Sequence, residues 1–301
     1  MNKLDRGLHP AVRFLVHVFF ILYVAACIIP LILVFMVSLT EEKTLIANGY
    51  SLFPSQLSFD AYSYLFADFD GVVRAYGVTV FVTVVGTIVS LWFTSMFAYG
   101  LSRKSFQYRG FFAFVLLFTM LFNGGLVPWY ILYSSVLNLT DTIWILIIPL
   151  LIVPFHVILM RTFFTLSVPD AIIESAKIDG AGEFRTFFAM IIPISLPVFA
   201  TIGLFNTLLY WNDWFLSMVF ITDERLVSLQ YLMYKVMANI QYLQSNSELT
   251  ASGQAGTILR DMPNESIRMA MVILGMGPIL VAYPFFQKYF VKGLTVGAIK
   301  G

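Results

Sequence analysis

The sequence predicts an all-α polytopic membrane protein with six transmembrane helices, and three observations predict it. Hydrophobic residues make up 59% of the chain and charged residues 12%, about half the charged share of an ordinary soluble domain. Six apolar stretches are long enough to approach or exceed the ~20 residues a helix needs to cross the hydrocarbon core. The basic residues between them are unevenly distributed, as topology determinants are. A formal net charge of +1 offers no general footprint for nucleic acid. Cys27 is the single cysteine, so no intrachain disulfide can form.

Residues 1–13 form an N-terminal segment carrying Lys3, Arg6 and Arg13 against Asp5. The first crossing, 14–39, is too long for a secretory leader and lacks a small-residue cleavage site, which reads as a retained helix. Pro30 is expected to kink it, a feature tolerated where neighbouring helices satisfy the freed carbonyl. A polar connector follows over 40–74, and its 58–66 portion has the pattern of a short surface helix.

The second crossing, 75–100, ends at Arg103, Lys104 and Arg109, a loop without an acid. The third starts at Gly110 and should be broken by Asn123-Gly124-Gly125 and Pro128. Trp129, Tyr130 and Tyr133 then suit the membrane interface. A fourth crossing, 142–164, is interrupted by Pro149 and Pro154, and a fifth covers 194–221. The longest polar connector, 222–268, precedes the sixth crossing, 269–290. The membrane domain is thus 14–290, followed by a tail at 291–301.

Six crossings place both termini on one side. Counted with the adjoining ends of the crossings, which add Arg161 and Lys288, the termini and the loops after crossings two and four hold twelve of the Lys and Arg residues, the opposite side six. The positive-inside rule then assigns the termini and the 167–193 loop to the cytoplasm of a multi-pass cell-membrane protein.

That loop is the most informative stretch. It is charged, yet it lies between two apolar runs. Pro169 fits the start of a short helix and Gly180 the position just past its end. Ile172, Ile173 and Ala176 recur at helical spacing and form a narrow apolar face of the kind that enters a groove on another protein. Glu174, Lys177 and Asp179 flank it. A plain solvated connector has the same composition.

An ionisable group inside the membrane is expensive and is a functional candidate by default. Asp213 is the best one, within Tyr210-Trp211-Asn212-Asp213-Trp214-Phe215. Continuous helical spacing would set Asn206, Tyr210, Asp213 and Ser217 on one stripe, beside Trp211, Trp214, Phe215 and Met218 on the next. A polar stripe beside aromatic rings suits a sugar, whose hydroxyls need partners and whose C–H faces stack on rings. Helix–helix glue and an interfacial aromatic belt give the same pattern. His156 reads as a packing histidine, since no second acid completes a proton relay.

No Gly-x-x-x-x-Gly-Lys-[Ser/Thr] occurs, so the sequence carries no phosphate cradle of that kind. No His-Glu-x-x-His, Cys-x-x-Cys or Gly-x-Ser-x-Gly occurs either. The residues therefore favour a transport component over an enzyme, with a stand-alone secondary transporter or channel as the alternative.

Glu174-Ser175-Ala176, Asp179-Gly180-Ala181, Phe184, Pro193 and Pro197 resemble the Glu-Ala-Ala loop of ABC importer permeases. Ser175 stands where that family usually has Ala. Asn123-Gly-Gly-Leu-Val-Pro128, 211–215 and Tyr283-Pro-Phe-Phe-Gln-Lys-Tyr-Phe-Val-Lys-Gly293 resemble an oligosaccharide-importing subgroup of the smaller permeases of maltose-type systems. The resemblance implies a type I importer fold with a cytoplasmic coupling helix. It also implies a second, homologous permease subunit, two ATP-binding cassette subunits and an extracellular sugar-binding protein, often lipid-anchored in that subgroup. ATP and Mg would be bound by the ATPase subunits, with no cofactor on this chain. The resemblance makes Glu174, Ser175, Ala176, Asp179, Gly180 and Ala181 the ATPase-coupling residues. In maltose-type systems the tail also reaches the ATPases, which would place Lys292 and Lys300 there.

Overall fold

The computed structural model describes residues 9–245 and 264–298. Every regular element among them is helical, and one isolated antiparallel bridge joins Thr40 to Leu57. The chain divides into two compact units, one of residues up to 69 with 236–277, the other of 70–235 with 278 onward.

In the first unit, α1 (Pro10–Ser38) contains Pro30 and begins with a proline where a missing N–H costs nothing. Its spanning window has none of its residues buried, so its apolar side chains face outward over most of their length. Two short helices follow, α2 (Glu42–Asn48) and α3 (Asp60–Leu65). Ser38 Oγ lies 2.9 Å from Tyr62 Oη. The Glu42 carboxylate accepts from the backbone N–H groups of Glu265 and Ser266, at 3.0 and 3.1 Å. It thereby caps the first turn of the final helix, whose leading N–H groups lack partners within the helix.

The second unit is built on α4 (Phe69–Ser102), 34 residues long, or ~50 Å at 1.5 Å per residue. Its buried face is a stripe of small and hydroxyl residues that includes Thr79, Thr83, Gly86, Ser90, Thr94 and Ala98. In lipid, apolar surface gains little by leaving the tails, so close approach and interhelical hydrogen bonds do the work of holding helices together. At one end of α4 its Tyr99 and Leu101 share a core cluster with Met160, Phe164, Ile173 and Ile191. Nearer the other end its Val82 shares a second cluster with Ile145, Ile147, Tyr210, Leu216 and Phe220.

Three of the expected spans are broken. The first is α5 (Arg109–Leu121), which stops after 13 residues, short of the hydrocarbon thickness. Gly125 has φ +85°, and its N–H is held by Asn123 Oδ1 at 2.8 Å. The chain then turns by 117° into α6 (Leu126–Ile131) and a wide turn to Val136. There Trp129, Tyr130 and Tyr133 pack on Phe220, so these rings serve the protein interior as well as any interface.

The second break separates short 3₁₀ turns at 143–150 from α7 (Pro154–Ser167), bent by 50°. After α8 (Asp170–Ile178) and α9 (Glu183–Thr186), a wide turn leads into α10 (Ile192–Ile194). The third break is the 84° bend between that segment and α11 (Leu196–Trp211), with Pro193 and Pro197 on its two sides. The expected fifth crossing does not run on as one helix, because α11 ends at Trp211 and α12 (Phe215–Phe220) restarts after a gap.

The connector read as polar contains α13 (Leu229–Ser245). Its Leu229, Met233 and Ile240 are buried, and this helical periodicity was present in the sequence. The last helix, α14 (Asn264–Ala298), includes a 21-residue apolar stretch to Pro284. Counting each bent pair as one span gives up to six spans among the described residues.

Candidate functional site

At one end of α4 sits α8. Pro169 is its N-cap and Asp170 its first residue, one position later than the first-turn placement expected of the proline. The helix closes as expected at glycine: Gly180 has φ +76°. The N–H of Ala181 donates to Ala176 O (2.9 Å) and that of Gly180 to Lys177 O (3.0 Å). This paired closure requires a left-handed residue, which glycine adopts without the Cβ penalty.

The face of α8 differs from the expected one. Ile173 and Ala176 are 5% and 1% exposed, and Ile173 is seated in the chain's own core beside Tyr99 and Phe164. That face is already used. Outward-pointing instead are Glu174, Ser175, Asp179 and Ile178, the last 86% exposed, with Phe184 beside the loop at 68%. Ala181 is half-buried.

Charged contacts lie at both ends of α8. Lys104 Nζ lies 3.0 Å from Asp170 Oδ2, and this ammonium holds the Asp170 carboxyl below its ordinary range. Lys177 Nζ lies 2.8 Å from Glu183 Oε1, and Tyr99 Oη donates to Glu183 Oε2 at 2.7 Å. The Lys177 contact, then the tyrosine hydrogen bond, keep Glu183 ionised to lower pH than usual. Lys177 was placed at the edge of the helix from sequence, but neither long-range pairing was legible there, because Lys104–Asp170 and Tyr99–Glu183 are 66 and 84 residues apart.

The second region is an open groove of about 550 Å³ beside α12, lined by His156, Phe205, Asn212, Asp213, Trp214 and Phe215 among others. It uses only part of the expected stripe. Asn206 is fully buried, and its Nδ2 donates to Ser90 Oγ at 2.9 Å. Its Oδ1 can only accept, so the 2.8 Å contact places a proton on His156 Nδ1. Ser90 Oγ in turn donates to Leu151 O at 2.8 Å. His156 thus packs as a hydrogen-bonded side chain, as read from the sequence, and it also borders the groove. Tyr210 is 2% exposed and donates to Ile147 O at 2.9 Å. Ser217 is fully buried, and its Oγ accepts from Ser228 N–H. Trp211 is buried at 4% and lies near the Tyr76 ring.

The cause is the helix break. Asn212 Nδ2 donates to Leu208 O (2.8 Å), and the Asp213 carboxylate accepts from Leu216 N–H (3.2 Å). These side chains compete with the helical ladder and rotate the register. Asn212, Asp213 and Trp214 are therefore the predicted residues that reach the groove. Trp214 stacks on Tyr234, with centroids 4.6 Å apart and planes 20° from parallel. Tyr231 continues the row at 6.3 Å, and Lys235 Nζ sits 5.9 Å above its ring. The tail residue Lys292 lies within α14, and Lys300 falls outside the described residues. Among the described residues no group of three His, Cys, Asp or Glu side chains could hold a metal.

Apolar spans, three of them bent, with an open groove and a surface helix that leaves Ile178 exposed, define a polytopic helical membrane protein. No family model matches the chain. It is 35% identical over 95% of its length to the polygalacturonan/rhamnogalacturonan transport system permease protein YtcP of Bacillus subtilis strain 168, covering 97% of that protein. To Protein LplC of the same organism it is 37% identical over 92% of the chain and 90% of the relative. To the arabinooligosaccharides transport system permease protein AraQ of Halalkalibacterium halodurans it is 27% identical over 99% of the chain, covering 100% of that protein. A crystal structure of a bacterial ABC transporter that imports the acidic polysaccharide alginate contains a chain that superposes with TM-score 0.77 at 28% identity, over 96% of this chain and 99% of that one. The chain belongs to the permease family of ABC sugar transport systems. It is a multi-pass membrane subunit that works with other ABC components.

Proposed function

We propose that this chain is one of two homologous permeases in a binding-protein-dependent importer of oligosaccharides, driven by two ATPase subunits that bind ATP and Mg. An extracellular binding protein delivers the sugar. The termini and α8 face the cytoplasm, in keeping with the twelve-to-six bias of basic residues. α8 docks through Glu174, Ser175 and Ile178, with Asp179 at its end and Phe184 of α9 beside it, while Ile173 and Ala176 anchor it to the permease.

The observation that carries this reading is the exposure of Ile178, 86%, on a helix whose opposite side is locked into the core. A side chain of this size in water, rimmed by carboxylates, is the anchor-and-rim pattern of a protein interface. The groove at Asn212, Asp213 and Trp214 supplies the sugar contacts: a carboxylate and an amide for hydroxyls, a ring for a C–H face. The relatives' polysaccharide and oligosaccharide substrates support that class.

Alternating access follows energetically if the ATPases hold α8 differently in their open and closed states, since only a differential contact shifts an equilibrium. The test is copurification of the ATPases with Ile178→Asp permease expressed in the full complex. Loss of the ATPases with the permease still folded is expected; a wild-type yield of complex would refute the docking face.

A further inference from the structure

We propose that Tyr99 and Glu183 form a latch that makes α8 and the spanning helix α4 move as one body, so that α4 carries displacement of the coupling loop to the groove. This rests on the docking role of α8 argued above.

Tyr99 lies three residues before the last residue of α4. Its ring is 8% exposed and packs 5.1 Å from Phe187, and its hydroxyl gives Glu183 a 2.7 Å hydrogen bond. Glu183 uses its other oxygen for Lys177 on α8. One carboxylate thus bridges the end of α4 to the last turn of the coupling helix. Lys104, just past α4, holds Asp170 at the first turn. α8 is thus contacted from the α4 side at both ends, by the exposed Lys104–Asp170 pair at its first turn and, more firmly, through Glu183 at its last. Arg103 covers the outer face of the Tyr99 ring at 5.1 Å.

The far side of the lever is equally specific. Nine residues back from Tyr99, or ~13 Å along the helix, Ser90 accepts from Asn206, which in turn accepts from the groove residue His156. Further on, Thr79 Oγ1 accepts from Leu229 N–H at 2.8 Å, at the start of α13. A rigid helix tied by hydrogen bonds at the coupling loop and again at the groove is a physical connection with discrete contacts at both ends. A hydroxyl–carboxylate bond suits the latch because it is short, directional and charge-assisted.

The test uses the assembled importer in liposomes, in a Cys27→Ala background with Asn212→Cys as reporter in the groove. The readout is labelling by a membrane-impermeant maleimide before and after trapping with ATP, Mg and vanadate. Tyr99→Phe removes only the hydroxyl. It should leave the complex assembled yet shrink the nucleotide-driven change in labelling rate at least fivefold. Glu183→Ala should do the same, the double variant should be no worse than either single one, and Glu183→Gln, which keeps an acceptor for Tyr99, should retain most of the change. An undiminished change in Tyr99→Phe would overturn the latch, and so would additive losses in the double variant. Failure of Tyr99→Phe to assemble would also overturn it, since the hydroxyl would then be a folding contact. A parent complex whose labelling ignores nucleotide would instead refute the importer mechanism, a separate outcome from a nucleotide-sensitive parent with an insensitive latch.

Discussion

Gly86 on α4 lies flat against the ring of Tyr210 on α11: a Cβ placed at position 86 would fall 2.6 Å from Cζ, 2.7 Å from Cε1 and 2.8 Å from Cε2. The ring has no room to retreat, because it is buried and its hydroxyl is bonded to Ile147 O. The two helices approach here as closely as backbone and ring allow. Gly86→Ala should therefore overpack the contact and cost about 1–3 kcal/mol, lowering the unfolding temperature of the detergent-solubilised protein. An unfolding temperature equal to wild type would mean that the contact is absent.

Gly180→Ala introduces a Cβ at φ +76°, where a non-glycine residue loses about 1 kcal/mol or more. The open space around Gly180 means that the penalty is conformational rather than steric. The closing turn of α8 should loosen, and copurified ATPase should fall while the permease itself remains folded. Gly180→Asn, whose side chain tolerates the left-handed region better, should restore part of the yield.

Asn206 and Asp213 lie within two turns of each other in sequence and should behave differently. Asn206→Ala strands the donor on His156 and breaks the bond to Ser90, a loss of about 2 kcal/mol of stability. Asp213→Ala combined with Trp214→Ala removes groove-lining groups and should suppress uptake of labelled di- and trisaccharides with assembly retained. Uptake at the wild-type rate in that pair would remove the sugar-contact reading.

The two ties on α8 also set a pH response. Asp170 and Glu183 are both held below their ordinary values, near 3.8 and 4.5. A carboxylate lowered by folding stabilises the native state fully above its unfolded value and loses that contribution as pH falls through the folded one. Asp141, whose carboxylate accepts from the Thr222 hydroxyl and from the Thr222 and Asp223 N–H groups, is lowered in the same way. The stability these three carboxylates contribute should hold level from pH 7 to about 5 and fall below about pH 4, read for Glu183 as a gap in unfolding temperature between wild type and Glu183→Gln that closes as the pH falls.

Much of this architecture was legible because membrane insertion writes it into composition. The apolar stretches, the breaks at Asn123-Gly124-Gly125 and at Pro154, and the glycine closing α8 all follow from local rules that need no partner. The face of α8 was not legible. Ile173 and Ala176 have the spacing of a docking stripe, and only the fold reveals that Ile173 already sits in the core cluster that holds Tyr99 and Phe164 and that Ala176 is buried as well. The groove failed for a different reason. Periodicity was carried through Asn212-Asp213, whose side chains terminate one helix and cap the next, so Asn206, Tyr210 and Ser217 turned inward. Leu229, Met233 and Ile240 did carry a helical signal, hidden by polar neighbours between them.

The central claim is that α8 presents Ile178 to an ATPase. Ile178→Cys in the Cys27→Ala background, treated with a short bifunctional thiol-to-amine crosslinker in the assembled complex, measures this directly. The account predicts one crosslinked species of permease plus ATPase, altered in yield by ATP and Mg. Free labelling of the introduced thiol by a membrane-impermeant maleimide added from outside intact cells, with no ATPase adduct, would contradict it.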